Sequence, residues 1–234
     1  KLDKTTWWNV ENHVNDMLET PKQEYVAPKP RFWKEFVVLN YAMMTSNNAL
    51  VPDPDRFDRL ASEWWQWPIS HIGLRMCGWG ADDRKYFLVG QPAVTWGSTF
   101  ALAAFILFSL SKIWRWQRQK LNYESIHDPE WDKFIVQGVL PFLAWFCNYL
   151  PFITMARVTY VHHYAPALYF AIFVMGYMVE QFGAKMPGFV RKLLYMACYV
   201  VVVAVFYHFK DLFFGMVGPS QNFKHLKLLP SWMI

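Results

Sequence analysis

The chain has little of what most soluble catalysts use. Its three cysteines, Cys77, Cys147 and Cys198, are too few and too scattered for a metal-type spacing. There is no nucleophile elbow, no phosphate loop and no H-E-x-x-H pattern, so the common hydrolase, nucleotide and zinc motifs are excluded. No Asn-x-Ser/Thr acceptor, internal repeat or low-complexity tract occurs. Residues 1–20 are polar and have no apolar h-region, so no signal peptide is read there. The first residue is not Met, and the chain reads as the C-terminal piece of something longer. Charge itself is missing from long stretches: none stands between Lys85 and Lys112, and none between Lys133 and Arg157.

What fills those stretches is apolar. The 234 residues are 54% hydrophobic and 19% aromatic, above the roughly 45–50% apolar content of an average soluble domain. The excess lies after residue 85, which predicts a polar N-terminal region followed by a membrane domain. A span needs about 20 mostly apolar residues. Four are predicted, at about 92–113, 134–156, 160–180 and 191–212, within a membrane region 92–217. Residues 1–91 precede it, and 218–234 form a tail. Within the first part, Trp7-Trp8-Asn9-Val10-Glu11 is a candidate anchor, and Phe32, Phe36, Val37, Asn40, Met43 and Met44 recur at helical spacing, predicting an amphipathic helix over 31–50.

Basic residues orient the spans. Lys112, Arg115, Arg118, Lys120 and Lys133 lie between the first two, and Lys185, Arg191 and Lys192 between the last two. The positive-inside bias puts both loops in the cytosol. The N-terminal region, the loop Arg157–His163 and the C-terminus then face the lumen or exterior. Cys147 and Cys198 read as small packing residues. Cys77 has no second cysteine on its side of the membrane, which excludes an internal disulfide. The net charge of +5 is mostly topological, and no nucleic-acid partner is expected.

The chemically loaded stretch is Arg157-Val158-Thr159-Tyr160-Val161-His162-His163-Tyr164-Ala165-Pro166. It places an arginine, two histidines and tyrosine hydroxyls between two apolar runs, where polar groups are costly unless they have work to do. Arg157 suits bidentate binding of phosphate or carboxylate; the plainer reading is an arginine snorkelling from a span end. His162 and His163 point about 100° apart on a regular helix, so one is expected to face a site and the other to pack or cap. Trp64, Trp65, Trp67 and Arg75 are expected to line a cavity mouth, or else to anchor the segment at the interface. Asp53, Asp55, Asp58 and Glu63 read as a solvated loop, and Asp82-Asp83-Arg84-Lys85 as a charged surface turn. His208 with His162 or His163 has the residue types of a bis-histidine haem site, but nothing else in the chain supports one. No metal or other cofactor is expected.

Several words converge on one family. Ala42-Met43-Met44-Thr45-Ser46-Asn47-Asn48-Ala49-Leu50-Val51-Pro52, Trp64-Trp65-Gln66-Trp67-Pro68, Gly73-Leu74-Arg75-Met76-Cys77-Gly78-Trp79, Val158-Thr159-Tyr160-Val161-His162-His163-Tyr164 and Gly218-Pro219-Ser220-Gln221-Asn222-Phe223 are involved. Together they resemble the C-terminal four-span region of dolichyl-phosphate-mannose–protein mannosyltransferases, in particular the fungal type 2 subfamily. Trp8-Asn9-Val10-Glu11 resembles the segment that follows the family's lumenal trefoil (MIR) domain. The resemblance implies an all-α integral membrane fold, the C-terminal part of a GT-C glycosyltransferase, preceded by a lumenal and partly helical segment. It implies an endoplasmic reticulum enzyme, multi-pass with a lumenal C-terminus. That enzyme transfers mannose, with inversion, from dolichyl phosphate mannose to Ser or Thr of secretory polypeptides. The family's acidic catalytic motif lies in the N-terminal half, so no catalytic residue is expected here and the chain alone is expected to be inactive. Arg157, His162 or His163, and Tyr164 are expected near the donor phosphate, with the spans around the lipid. The expected partners are the N-terminal half, a type 1 family member in a heterodimer, a Ser/Thr-rich acceptor and membrane lipid. The alternative is a non-catalytic scaffold for heterodimer assembly.

Overall fold

The computed structural model describes residues 32–48, 58–80, 83–118, 129–155 and 157–234. The expectations for Trp7–Glu11, Asp53, Asp55 and Asp82 fall outside these residues. Helix α1, Phe32–Asn48, lies in a unit that ends at Ser46, except for its last two residues. The stacked rings of Phe32 and Phe36 and the bond from Asn40 Nδ2 to the Phe36 carbonyl (2.7 Å) follow its helical spacing. The helix is less amphipathic than its spacing predicts, because Trp33 and the consecutive Val37-Val38-Leu39 carry apolar side chains around its circumference.

The second unit, Asn47–Ile234, is built on four long helices. These are α2 (Pro92–Arg118), α3 (Pro129–Thr154), α4 (Ala165–Ala184, entered through a tight helical turn Val161–Tyr164) and α5 (Gly188–Phe214). Counting that turn with α4, the four spans have 27, 26, 24 and 27 residues, or about 36–41 Å at ~1.5 Å per residue, enough to cross a bilayer core of about 30 Å. Each runs past the limits of its uncharged segment. The backbone ladder continues through Lys112 and Arg118, and through Glu180, where long side chains reach the interface. Proline and glycine punctuate the ends: Pro92 opens α2, Pro187 precedes α5, and Gly215 closes α5 at φ +104°, a conformation natural to glycine.

α4 is the central helix and packs against both α2 and α3. Ala101, Leu102 and Phe105 of α2 meet Phe134 of α3 and Ala171, Val174, Tyr177 and Met178 of α4. The α3 ladder widens to a π-helical stretch at Phe134–Val139. There Gly138 lets the Phe105 ring approach so closely that a Cβ would sit 2.7 Å from it. At the end of α2 that carries Lys112, the ammonium lies 4.6 Å from the Phe134 ring, and Trp116 stacks on Trp131, an aromatic and basic belt suited to a headgroup boundary.

The opposite end of the bundle is capped. Strands β1 (Leu74–Met76) and β2 (Tyr86–Leu88) pair antiparallel with Leu74 opposite Leu88. Lys85 then bridges to Met216 just after α5. Phe87, Phe209, Leu212, Met216, Leu226 and Trp232 close a second core between that pair, α5 and the C-terminal tail. Lys85 departs from the surface turn expected of it. It is buried, and its ammonium donates to the carbonyls of Asp83 (3.1 Å) and Gly218 (3.0 Å), which replaces hydration and ties the tail to the cap.

Candidate functional site at the capped end

The loop joining α3 to α4 is clamped to the cap. Ser62 N–H donates to the Thr159 carbonyl (2.8 Å), and Thr159 Oγ1 donates back to the Ser62 carbonyl (2.6 Å). Ser62 Oγ in turn accepts from the indole of the buried Trp67 (2.9 Å). One residue on, the Tyr160 hydroxyl donates to Asp58 Oδ2 (2.7 Å). That bond is the main reason the Tyr160 phenol is raised above its usual range, with burial and the Asp58 charge adding and the nearby positive charge of Arg157 opposing. Asp58 is therefore a structural acceptor, not only a solvated loop carboxylate; it also accepts from Leu60 N–H (2.9 Å).

The two histidine rings lie face to face instead of pointing apart, because they sit in an irregular turn, yet their surroundings differ. Tyr160 is extended and starts the turn Val161–Tyr164, in which His163 Nδ1 returns to within 3.1 Å of the Tyr160 backbone nitrogen. His163 packs its ring over Trp67, with centroids 6.2 Å apart at 21°, and against Phe152 at 5.3 Å. It is a capping and packing residue. His162 is exposed, stacks on His163 at 4.1 Å, and lines a cavity. Tyr164 is buried; Trp145 Nε1 lies 3.4 Å from its hydroxyl, and its body forms part of the same cavity wall. Arg157 lies in the loop five residues before His162, half-buried and outside the cavity wall.

The cavity has a volume of about 330 Å³. Its walls come from three places: Trp67 and Ser70 of the cap, Gly90, Gln91 and Thr95 around the start of α2, and His162 with Tyr164 at the start of α4. Of the four residues expected at a cavity mouth, Trp67 lines it. Trp64 accepts the Tyr149 hydroxyl on its carbonyl (2.6 Å), Trp65 stacks on His71, and Arg75 lies 4.4 Å over Trp79 and donates to the Met233 carbonyl (2.7 Å). Ser70, Gln91 and Thr95 were not among the expected residues. Thr95 had a sequence signal, as a hydroxyl inside an apolar run. Ser70 had none, since its φ of +49° is set by tertiary contacts. A separate groove of about 390 Å³ runs between α2, α4 and α5, walled by Gly97, Ala101, Met175, Val179, Ala197 and Val201. It is almost wholly apolar. Among the described residues no cluster of His, Cys, Asp and Glu is arranged to hold a metal.

Comparison with known proteins gives a consistent picture. Residues 32–232 match the family model described as the C-terminal four TMM region of protein-O-mannosyltransferase. The chain is similar to dolichyl-phosphate-mannose–protein mannosyltransferase 6 of Candida albicans, 49% identical over 99% of this chain and 30% of that protein. It is likewise similar to mannosyltransferase 2 of the same organism, 45% identical over 100% of this chain and 32% of that protein. The chain thus spans about a third of the length of these relatives. In fold it is similar to the S. cerevisiae protein O-mannosyltransferase Pmt1-Pmt2 complex bound to the sugar donor. The TM-score is 0.70 at 22% identity, covering 92% of this chain and 29% of that one.

Proposed function

This chain belongs to the protein O-mannosyltransferase family as its C-terminal four-span region, and from that premise we propose that it supplies donor-site groups and membrane scaffold to an enzyme of the endoplasmic reticulum membrane. That enzyme moves mannose from dolichyl phosphate mannose to Ser or Thr of secretory polypeptides. The observation that carries the reading is the cavity at the capped end, with His162 and Tyr164 in its wall and Arg157 in the clamped loop leading into it. The capped end faces the lumen, in line with the basic residues at the other end.

In the transfer, the bond from the sugar's anomeric carbon to the phosphate oxygen breaks, and a bond from the acceptor hydroxyl oxygen forms on the opposite face, with inversion. Negative charge grows on the departing dolichyl phosphate. A guanidinium and neutral donors held at that point bind the transition state better than the ground state. Arg157 is assigned the phosphate, with His162 and Tyr164 beside it. His163 serves by holding the turn. The proton of the acceptor hydroxyl goes to a base outside this chain, in the N-terminal half. The apolar groove between α2, α4 and α5 suits the polyprenyl chain.

A second reading is favoured by α5, whose buried residues, Phe209 and Leu212, both lie near its C-terminal end, which leaves the rest of its apolar length uncovered. On that reading the region is chiefly a scaffold, packing on the rest of the enzyme and on a type 1 family partner. Labelled mannose transfer from dolichyl phosphate mannose to a Ser/Thr peptide tests the proposal, with the chain alone and co-expressed with a family N-terminal half. Transfer only when the half is present is expected. An assembled complex that transfers nothing contradicts it.

A further inference from the structure

Two polar side chains stand on one outer face of the bundle, inside the spans. Gln137 lies four residues after Lys133 on α3, and Glu180 lies five residues before Lys185 at the end of α4. Both are therefore about 6–8 Å inside the uncapped boundary that the lysines mark, at ~1.5 Å per residue. Both are exposed, and neither makes a hydrogen bond or an ion pair among the described residues. Glu130, at the start of α3, has Lys133 at 3.6 Å. In water an exposed carboxylate or carboxamide is hydrated. The bilayer core supplies no water, and ionisable groups within spans almost always face the interior of a bundle or a wet cavity. A glutamate stem is also shorter than that of lysine and reaches less far toward the headgroups.

The two flank a groove of about 370 Å³ between α3 and α4. Toward the membrane centre its walls are apolar, with Pro141, Ile172 and Phe173. Gly176 stands between Ile172 and Glu180, one helical turn from each, and is exposed. A Cβ there meets no atom within 4 Å, so nothing packed inside this chain requires a glycine. Glycine weakens a helix interior. In membranes, small residues at such positions let a neighbouring helix approach closely, and polar side chains bond across the contact. Hydrocarbon fits the apolar wall but pairs with neither Gln137 nor Glu180. A lipid phosphate meets the Glu180 carboxylate as a like charge. A helix fits each feature, because the positive-inside bias puts Lys and Arg at this same end of other spans.

We propose that the α3–α4 groove seats a further transmembrane helix, one that packs closely on Gly176 and brings a Lys or Arg to Glu180. A hydrogen-bonding side chain of the same helix meets Gln137. Given the donor-site reading above, the helix belongs to the N-terminal part of the same enzyme. The chain covers 30% and 32% of the two Candida relatives, so most of such an enzyme lies outside it. The donor-site reading also takes the acceptor's base from that part, which requires it to share a bundle with these spans. Polar pairs between membrane helices are each worth little, so packing on Gly176 holds the helix. The Glu180 pair selects which helix docks and at what height, since a span without the cation leaves the carboxylate unpaired.

The test uses the intact enzyme with its partner, in native microsomes. A diazirine-bearing amino acid replaces Val136, which is exposed on the rim of the groove, and the photo-adduct is identified by mass spectrometry. An adduct with a span in the N-terminal part of the same chain is expected. Gly176→Leu is the perturbing variant. Within this chain its Cβ meets nothing, and leucine is the better helix former, so harm comes only from a helix seated there. The adduct is expected to fall about tenfold, the effect of overpacking a close contact. Glu180→Lys is expected to lower it about three- to tenfold, and reversing the charge of the Lys or Arg that the adduct locates restores it. That rescue separates loss of the pair from misfolding. An adduct with lipid or with the second subunit overturns the seat, as does an adduct unchanged in both Gly176→Leu and Glu180→Lys. Each of these outcomes leaves the donor-site reading in place. Wild type that assembles in the same microsomes and transfers no mannose overturns that reading, and with it the choice of occupant.

Discussion

Replacing Trp232 by alanine removes the keystone of the cap. The indole is fully buried, packed among Phe87 and Phe209 with ring centroids at 6.1 and 6.2 Å, and it is the donor to the Ser70 carbonyl. Truncation of a buried Trp to Ala costs about 3–5 kcal/mol. A share of that is the carbonyl left without a donor, about 1–3 kcal/mol. Against a total stability of about 5–15 kcal/mol, the tail from Gly215 onward then detaches readily. Neighbouring contacts go with it: Ser231 Oγ donates to the His71 carbonyl and Arg75 to that of Met233. Limited proteolysis of the detergent-purified intact enzyme is expected to clip the C-terminal tail of Trp232→Ala and leave wild type whole. Trp232→Phe, which keeps most of the apolar contact and loses the bond, falls between. A tail in Trp232→Ala as resistant as wild type refutes the reasoning, as does Trp232→Phe being damaged as much as Trp232→Ala.

Gly138→Ala drives a methyl to 2.7 Å from the Phe105 ring and 3.1 Å from Tyr177, and overpacking of this kind costs about 1–3 kcal/mol; a lowered midpoint of thermal unfolding in detergent is the expected result. The Tyr160–Asp58 clamp carries a pH signature. Folding holds the Tyr160 proton more tightly than the unfolded chain does, so its contribution is fully present below the phenol's ordinary value of 10.0 and is lost as pH rises through the higher folded value. Protease sensitivity of the 157–160 loop is therefore expected to rise at alkaline pH in wild type. In Tyr160→Phe the loop is expected to be sensitive already at neutral pH and to show no such rise.

The helices were legible because crossing a bilayer demands long uncharged runs, and those runs are visible in one dimension. Their ends were less so. The predicted 92–113 became Pro92–Arg118, since a helix in an interface continues through residues such as Lys112 whose charge escapes along its own stem. The loop Arg157–Tyr164 stood out as polar chemistry between spans. Which histidine faces the cavity was not legible, because it depends on Tyr160 being extended and on Trp67 supplying a stacking surface from nearly a hundred residues away. Ser70 and Lys85 were invisible for the same reason. One owes its conformation to Trp232, the other its burial to Gly218, and both partners lie in the C-terminal tail. Long-range pairing of polar groups leaves no local pattern to read.

The central claim is that Arg157 binds the donor phosphate as the glycosidic bond breaks. It is tested most directly by kcat/KM for mannose transfer from dolichyl phosphate mannose by the intact, partner-assembled enzyme carrying Arg157→Ala. A charge-assisted bond worth about 1.5–3 kcal/mol predicts a fall of roughly ten- to hundredfold, with assembly unchanged. Undiminished transfer by the assembled variant would contradict the account and leave this region as scaffold.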